Sequence, residues 1–300
     1  MKRMYQKIIS GIIILSVTLL AVGCNEKPVR QTVSEQMEVK QPGEAWIQPE
    51  EEVMQVEVKQ PGEELRIALI DTGITREAVN AERILPGWNY CNNSDDTEDT
   101  IGHGTSLAGM ILGSDKAGLT GGAPDAYVVP FVCQMQNADG TVEKMEPQGL
   151  AQVIRDAIDA YECRIINISA GVKTDYQELR EAVEYASEKG VLIVSCAGNE
   201  GNSDIYYPGG YEEVLCVGSA NKELTGRASF SQDNDSVDLL APGEKLPVVT
   251  MKGNVMEVSG TSYSAAHVTA VAATLWQKQP ESTPKQIVEQ LMIQPDISGR

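Results

Sequence analysis

The chain has 300 residues, of which 42% are hydrophobic, so it can bury the core of one large domain or two small ones, and disorder throughout is excluded. It carries 24 basic and 43 acidic side chains, and the net charge of −19 argues against nucleic acid as a partner. It has two histidines, His103 and His267, and a metal site built from two or three imidazoles would have to use both of them. Its six cysteines are too few and too scattered for a disulfide scaffold.

An export signal is predicted at the N-terminus. An uncharged apolar stretch at 8–22 follows three cations, Lys2, Arg3 and Lys7. The stretch is short for a membrane span and typical of the core of a signal peptide. The sequence LAVGC at 20–24 resembles the lipobox of bacterial lipoproteins, although Ala21 stands where leucine is most frequent. The resemblance implies cleavage before Cys24, lipidation of Cys24 and a lipid-anchored protein on the extracytoplasmic face of the cell membrane. The alternatives are an ordinary cleavage site, which gives a secreted protein, or an uncleaved anchor.

An acidic linker is predicted at 24–64, after a signal peptide at 1–23. The heptapeptide EVKQPGE occurs at 38–44 and again at 57–63. A coil of about forty residues spans roughly 35 Å, and about 130 Å when fully extended. The linker could therefore hold the folded domain that we assign to 65–300 clear of a lipid surface.

Short, apolar, β-branched runs alternate with amphipathic segments from residue 65 onward. Strands are predicted at 65–70, 127–132, 164–168, 191–195, 214–217 and 237–240. Helices are predicted at 148–161 and around 179–186, and a last one begins at a capping box formed by Thr283 and Gln286, with Pro284 at its first position. This alternation predicts an α/β fold of three layers, a mostly parallel sheet with helices on both faces. Catalytic groups of such a fold are expected at the carboxyl ends of strands.

A carboxylate ends the first predicted strand, in the sequence ALIDTG at 68–73. One interpretation is that Asp71 caps the following turn. Another is that Asp-Thr-Gly is the signature of an aspartic protease, an enzyme that needs a second copy of the motif or a homodimer.

Glycines flank His103 in the sequence GHGTS at 102–106. A lone histidine is more often structural than catalytic. These glycines, however, allow a helix to begin at the imidazole and allow a substrate to approach the backbone. A given four-residue string occurs by chance in about two chains of this length in a thousand, so a match to a known string carries weight.

Ser262 lies in the sequence SGTSYSAAH at 259–267, which leads into an apolar helix. A serine at a helix N-terminus lies beside unpaired backbone N–H groups and the positive end of the helix dipole, which stabilise negative charge. The simpler interpretation is that Ser262 is an N-cap.

In the order Asp, His, Ser, these strings resemble the subtilisin-like serine proteases. Further strings typical of that family are GGAPDA at 121–126, NISAG at 167–171, AGNEG at 197–201, YPGGY at 207–211, ASFS at 228–231 and APG at 241–243. The resemblance spans about residues 65–295. It implies the three-layer subtilisin-like fold and a peptidase domain at 65–300.

The resemblance also implies a mechanism. Asp71, His103 and Ser262 would form the catalytic triad of a serine endopeptidase that hydrolyses peptide bonds through an acyl-enzyme. The side-chain amide of Asn199 and the backbone N–H of Ser262 would form the oxyanion hole. A peptide substrate would lie extended beside three residues, Ser169, Ala170 and Gly171.

The sequence departs from the family pattern at several positions. Ala266 replaces a proline that is usual after the nucleophile, and Ser106 replaces a common second histidine. His267 matches a family position outside the triad. Many relatives bind calcium in an asparagine-rich loop, but the corresponding loop Leu112-Gly118 reads LGSDKAG and does not support a calcium site. We predict no metal and no cofactor, and calcium is the alternative that the sequence leaves open. The expected partners are peptide or protein substrates and the membrane, reached through the lipid anchor. We expect no nucleic acid and a monomer.

The leading hypothesis is a membrane-tethered extracytoplasmic serine endopeptidase. The alternative is a catalytically silent subtilase fold that binds peptides as a lipoprotein, but the complete set of Asp71, His103, Ser262 and Asn199 argues against it. An aspartic protease would leave the histidine and serine motifs unexplained.

Overall fold

The computed structural model describes residues 7–8 and 64–293, which belong to one compact unit. Residues 1–6 and 9–23 of the predicted signal peptide lie outside the described residues, as do residues 24–63 of the predicted linker, which include Cys24, and residues 294–300. The signal peptide, the linker and the boundaries between them therefore stay predictions.

Strands and helices alternate through the described part of the chain. Its strands are β1 (Lys7–Ile8), β2 (Arg66–Asp71), β3 (Trp88–Asn89), β4 (Gly113–Ser114), β5 (Leu119–Thr120), β6 (Tyr127–Val132), β7 (Gln134–Gln136), β8 (Val142–Lys144), β9 (Ile165–Ile168), β10 (Leu192–Cys196), β11 (Val214–Ala220), β12 (Leu239–Pro242), β13 (Leu246–Val249) and β14 (Val255–Val258). Its α-helices are α1 (His103–Leu112), α2 (Leu150–Asp159), α3 (Gln177–Glu188), α4 (Thr261–Lys278) and α5 (Pro284–Ile293). Within the described ranges, no helix has the length and apolar character needed to cross a membrane.

A central sheet of eight parallel strands has the order β1-β12-β11-β10-β9-β2-β6-β3. The edge strand β1 lies within the predicted signal peptide, so cleavage before Cys24 would leave the other seven strands. The other strands pair as antiparallel ribbons, β4 with β5, β7 with β8 and β13 with β14. The direction in which successive strands are added to the sheet reverses at β2. Strands β6 and β3 lie on one side of β2, and β9 to β12 lie on the other. In parallel sheets a crevice for ligands opens outside the carboxyl ends of the strands at such a reversal.

Side chains of β2 alternate between the two faces of the sheet. Ile67 and Leu69 pack in a cluster with buried residues of α1, α4 and α5, whereas Ala68 and Ile70 pack in a second cluster with residues of α2 and α3. Since both faces are covered, the strands are apolar on both sides, as parallel strands between helices must be. The three-layer α/β architecture predicted from the sequence is confirmed.

The six predicted strands are all present, with bounds that differ by up to three residues. The helix predicted from residue 148 begins at Leu150, after a short 3-10 turn at Pro147–Gly149. The capping box is formed as predicted: the Thr283 N–H donates to Gln286 Oε1 at 2.8 Å, and the Gln286 N–H donates to Thr283 Oγ1 at 3.3 Å. The described cysteines are all free thiols, which agrees with the absence of a disulfide pattern: Cys91, Cys133, Cys163, Cys196 and Cys216.

Candidate active site

Asp71 and His103 meet at the carboxyl end of the sheet. Asp71 is the last residue of β2 and is buried, and His103 is the first residue of α1. The imidazole Nδ1 lies 2.7 Å from Asp71 Oδ1, which also accepts a hydrogen bond from the Thr72 N–H at 2.9 Å. A carboxylate at Nδ1 favours the tautomer that carries its proton there, so Nε2 is left as the basic nitrogen.

The start of α1 is packed closely against the turn that follows β2. A Cβ on Gly104 would lie 2.3 Å from the carbonyl oxygen of Gly73, so any larger residue would push the helix away from β2. The Gly104 N–H instead donates to Thr72 Oγ1 at 2.9 Å. The glycine after His103 therefore sets the distance between the imidazole and Asp71.

A second carboxylate, Asp99, organises the turn before α1. Its Oδ1 accepts from the N–H groups of Ile101 and Gly102, and its Oδ2 accepts from the N–H and hydroxyl of Thr105. Burial by itself would lower the pKa of His103, but the charge and hydrogen bond of Asp71 and the charge of Asp99 outweigh it. The net effect is a pKa above the ordinary value of 6.5. Asp99 is not among the site residues predicted from the sequence; the available signal was an acidic residue just before a helix.

Ser262 is the second residue of α4 and is 6% exposed. Its neighbour Tyr263 packs against His103, with ring centroids 5.5 Å apart and planes inclined by 58°. This contact brings the start of α4 to the start of α1. Among the described residues no hydrogen bond joins Ser262 to His103; such bonds are often long in a free enzyme and shorten when substrate binds. Because Gly260 precedes the helix and Thr261 begins it, the interpretation of Ser262 as an N-cap is wrong.

Asn199 is fixed by Thr261. Its Oδ1 accepts from the Thr261 N–H at 2.8 Å and from the Thr261 hydroxyl at 3.0 Å. With the carbonyl oxygen used in this way, the exposed side-chain amide keeps its N–H groups for a ligand. Its Nδ2 lies 3.7 Å from the position that a Cβ on Gly260 would occupy. Asn199 therefore presents donors at the same helix N-terminus at which the Ser262 N–H lacks an intrahelical partner.

The segment Ser169, Ala170 and Gly171 directly follows β9, the strand beside β2. The Ser169 hydroxyl accepts from Asn167 Nδ2 at 3.1 Å, and Ala170 and Gly171 are exposed. The next residue, Val172, pairs antiparallel with Tyr207 through backbone hydrogen bonds of 2.9 and 2.8 Å. The segment therefore has an extended neighbour and an accessible surface beside the candidate site.

The model of the Subtilase family matches residues 62–295. The chain belongs to the subtilase family. It is 34% identical over 239 residues to the major intracellular serine protease of Bacillus subtilis (strain 168), and the alignment covers 75% of this chain and 72% of that relative. It is 33% identical over 229 residues to the minor extracellular protease Epr of the same strain, where the alignment covers 76% of this chain but 34% of the relative.

Solved subtilase structures have the same fold. Sphericase is similar with a TM-score of 0.67 and 26% identity, over 77% of this chain and 82% of the sphericase chain. A cold-adapted subtilisin-like serine proteinase is similar with a TM-score of 0.64 and 27% identity, over 76% of this chain and 81% of that chain. The subtilisin-like α/β fold predicted from the sequence is thus confirmed, and the subtilase is a serine endopeptidase.

The second histidine of this subtilase has a different environment. His267 lies on α4, and its Nε2 is buried without a hydrogen-bond partner in the described part of the chain. Burial lowers its pKa to about 4, so the ring is neutral at ordinary pH. Ser106 also has a structural place: its hydroxyl donates to the carbonyl oxygens of Gly102 at 3.0 Å and Val249 at 2.8 Å, which ties α1 to β13.

The loop Leu112-Gly118, where the sequence does not support a calcium site, forms a tight turn. Helix α1 ends at Leu112, and the paired strands β4 and β5 leave a turn of residues 115–118 between them. Asp115 is the sole carboxylate of the loop, and its N–H donates to Asn80 Oδ1 at 3.0 Å. Nowhere in residues 64–293 do three or more His, Cys, Asp or Glu side chains gather as metal ligands would. The absence of a metal stays a prediction.

Proposed function

We propose that this subtilase is a membrane-tethered extracytoplasmic serine endopeptidase whose triad is Asp71, His103 and Ser262. The observation that carries the proposal is the 2.7 Å contact of Asp71 with His103, with the imidazole against Tyr263 at the start of the helix that holds Ser262. A structural ion pair would not require a serine at the start of the helix that packs against the imidazole.

In the proposed reaction, His103 Nε2 takes the proton of the Ser262 hydroxyl as the oxygen attacks the substrate carbonyl. Asp71 holds the Nδ1 proton and stabilises the imidazolium that forms. The imidazolium then gives its proton to the leaving amine, and an ester between Ser262 and the acyl part of the substrate remains. A water molecule, deprotonated by His103, hydrolyses this ester in the second half of the reaction. None of these steps requires a metal or an organic cofactor.

The negative oxygen of the tetrahedral intermediate would lie between Asn199 Nδ2 and the Ser262 N–H. Donors that are already oriented before the charge develops need no reorganisation during the reaction. The two hydrogen bonds from Thr261 provide that orientation for Asn199. The positive end of the α4 dipole adds to the stabilisation.

The peptide substrate would pair its backbone with the exposed segment at 169–171. Pairing of an extended peptide with an exposed edge supplies affinity without regard to sequence, because it uses main-chain groups. The proposal therefore includes peptides and unfolded protein segments as the substrate class.

Labelling with a fluorophosphonate tests the proposed triad. The reagent should modify Ser262 in the parent protein, and mass spectrometry of the tryptic peptide would locate the adduct. Ser262→Ala should remain folded by circular dichroism, take up no label and lose peptidase activity. A silent subtilase fold, the alternative, would take up no label in the parent protein either, and a Ser262→Ala variant as active as the parent would contradict the serine mechanism.

The tether rests on the N-terminal sequence, where an apolar stretch ends at Gly23 and Cys24. A relative named as an extracellular protease is consistent with action outside the cell, and secretion is the alternative. Cys24→Ala should remove the acylated thiol and move the protein from the detergent phase to the aqueous phase, without change in fluorophosphonate labelling. A parent protein that partitions into the aqueous phase with its N-terminus beyond residue 24 would contradict a permanent tether.

A further inference from the structure

One aromatic side chain, Tyr206, lies between the two segments that border the candidate site. Strands β9 and β10 are neighbours in the sheet, with Ile168 paired in register with Ser195. The chain leaves their carboxyl ends as two walls, 169–171 and 197–199. We call the space between these two neighbouring segments the crevice; Asn199 is the last residue of the second wall.

Tyr206 reaches both walls. A Cβ on Gly171 would lie 3.0 Å from Tyr206 Cβ and 3.7 Å from its Cδ1. A Cβ on Gly198 would lie 3.0 Å from Tyr206 Cδ2. Because each wall has a glycine at the point of contact, the half-buried side chain of Tyr206 lies against bare backbone on both sides and occupies the crevice.

Tyr206 is held in this place from two directions. The backbone of the next residue, Tyr207, exchanges hydrogen bonds of 2.8 and 2.9 Å with Val172. Lys173 Nζ lies 5.6 Å from the centroid of the Tyr206 ring and forms an ion pair of 2.6 Å with Asp204. The cation on the ring face and the paired backbone both oppose movement of the ring out of the crevice.

The position of the crevice relative to a substrate follows from the proposed function, on which this inference rests. The carbonyl attacked by Ser262 has its oxygen at Asn199, and the chain before it runs along 169–171. The side chain of the residue that supplies this carbonyl must then enter between the walls at 169–171 and 197–199, where Tyr206 lies. We propose that Tyr206 restricts this substrate residue to small side chains, so that the enzyme cleaves after glycine, alanine or serine.

A set of peptides that differ only in the residue before the cleaved bond tests the proposal. For the parent enzyme we expect kcat/KM for the alanine peptide to exceed that for the phenylalanine peptide by about 100-fold or more, since even one surplus methylene in a filled pocket costs about 10- to 200-fold. Tyr206→Gly should open the crevice and raise kcat/KM for the phenylalanine peptide by about 100-fold. Tyr206→Phe is the matched control, because it keeps the ring and should keep the preference for alanine.

Fluorophosphonate labelling of every variant reports the state of the triad independently of the crevice. A labelled parent enzyme that cleaves the phenylalanine and alanine peptides equally well would overturn the inference and leave the proposed function standing. So would a labelled Tyr206→Gly variant with the same preference as the parent. A parent protein that takes up no label would overturn the proposed function and the inference together. If Tyr206→Gly does not fold, the parent enzyme still tests the inference, because equal cleavage of the two peptides would overturn it.

Discussion

Acid should destabilise the peptidase domain through His267. In the folded protein burial lowers the pKa of this imidazole from 6.5 to about 4, whereas in the unfolded chain the imidazole titrates at its ordinary value. Between these two values the unfolded chain binds more protons than the folded one, so the free energy of unfolding falls as the pH falls. The difference in pKa corresponds to about 3 kcal/mol in total, of which about 2 kcal/mol should be lost between pH 7 and pH 4.5.

The measurement is urea denaturation at several pH values in a Ser262→Ala background, which prevents digestion of the unfolded chain by the folded enzyme. Carboxylates elsewhere also titrate in this range, so the comparison is with the same protein that carries His267→Gln, whose amide does not titrate. The difference in the free energy of unfolding between the two proteins should change by about 2 kcal/mol in favour of the glutamine variant from pH 7 to pH 4.5. A difference that stays constant with pH would refute the argument. In the active enzyme, loss of peptidase activity in folded His267→Gln would show that the triad includes the wrong histidine.

The oxyanion hole and the Asp71–His103 pair give further predictions. Asn199→Ala should lower kcat by about 10²- to 10³-fold with little change in KM, the magnitude known for the oxyanion asparagine of subtilisin itself. A change in KM alone would instead make Asn199 a binding residue. Thr261→Val removes one of the two hydrogen bonds that orient Asn199, so kcat should fall by about fivefold, as expected for roughly 1 kcal/mol, and Thr261→Ser should restore it. In the parent enzyme kcat/KM should rise with pH as His103 loses its proton, with a midpoint above 6.5. Asp71→Asn should move that midpoint below 6.5, because burial, which lowers the pKa of His103, is then opposed only by the charge of Asp99. An unmoved midpoint would contradict the pairing of Asp71 with His103.

Strands that have an apolar pattern in their own sequence could be predicted. The six strands that the sequence predicts in the central sheet are buried on both faces and appear as largely apolar runs, and β6 is predicted with its bounds unchanged at Tyr127–Val132. The ribbons are different: all three residues of β8, Val142–Lys144, are exposed, and such a strand has no apolar pattern to reveal it. The pairing of β7 with β8 depends on the turn between them and on the rest of the fold.

The residues of the candidate site also differ in whether a local sequence pattern indicates them. Asp71, His103 and Ser262 lie in short strings whose glycines and neighbours are characteristic, so residue type and order were enough to propose them. Asp99 lies in a run of acidic residues, and only the folded chain distinguishes the buried one that binds the start of α1. The contact of Tyr206 with Gly171 and Gly198 joins three separate segments, and no local pattern could predict it.

The order of the strands also determines when the enzyme can begin to work. Strand β2, which ends at Asp71, has β6 on one side and β9 on the other, and the segments with Asn199 and Ser262 come later in the chain than all three. If the chain folds from its N-terminus, Asp71 and His103 would meet before the helix that holds Ser262, the proposed nucleophile, is in place. A partly assembled chain would therefore be inert toward its neighbours and toward its own N-terminal segment. Proteolytic competence would then appear late, when the complete sheet and the start of α4 are both in place.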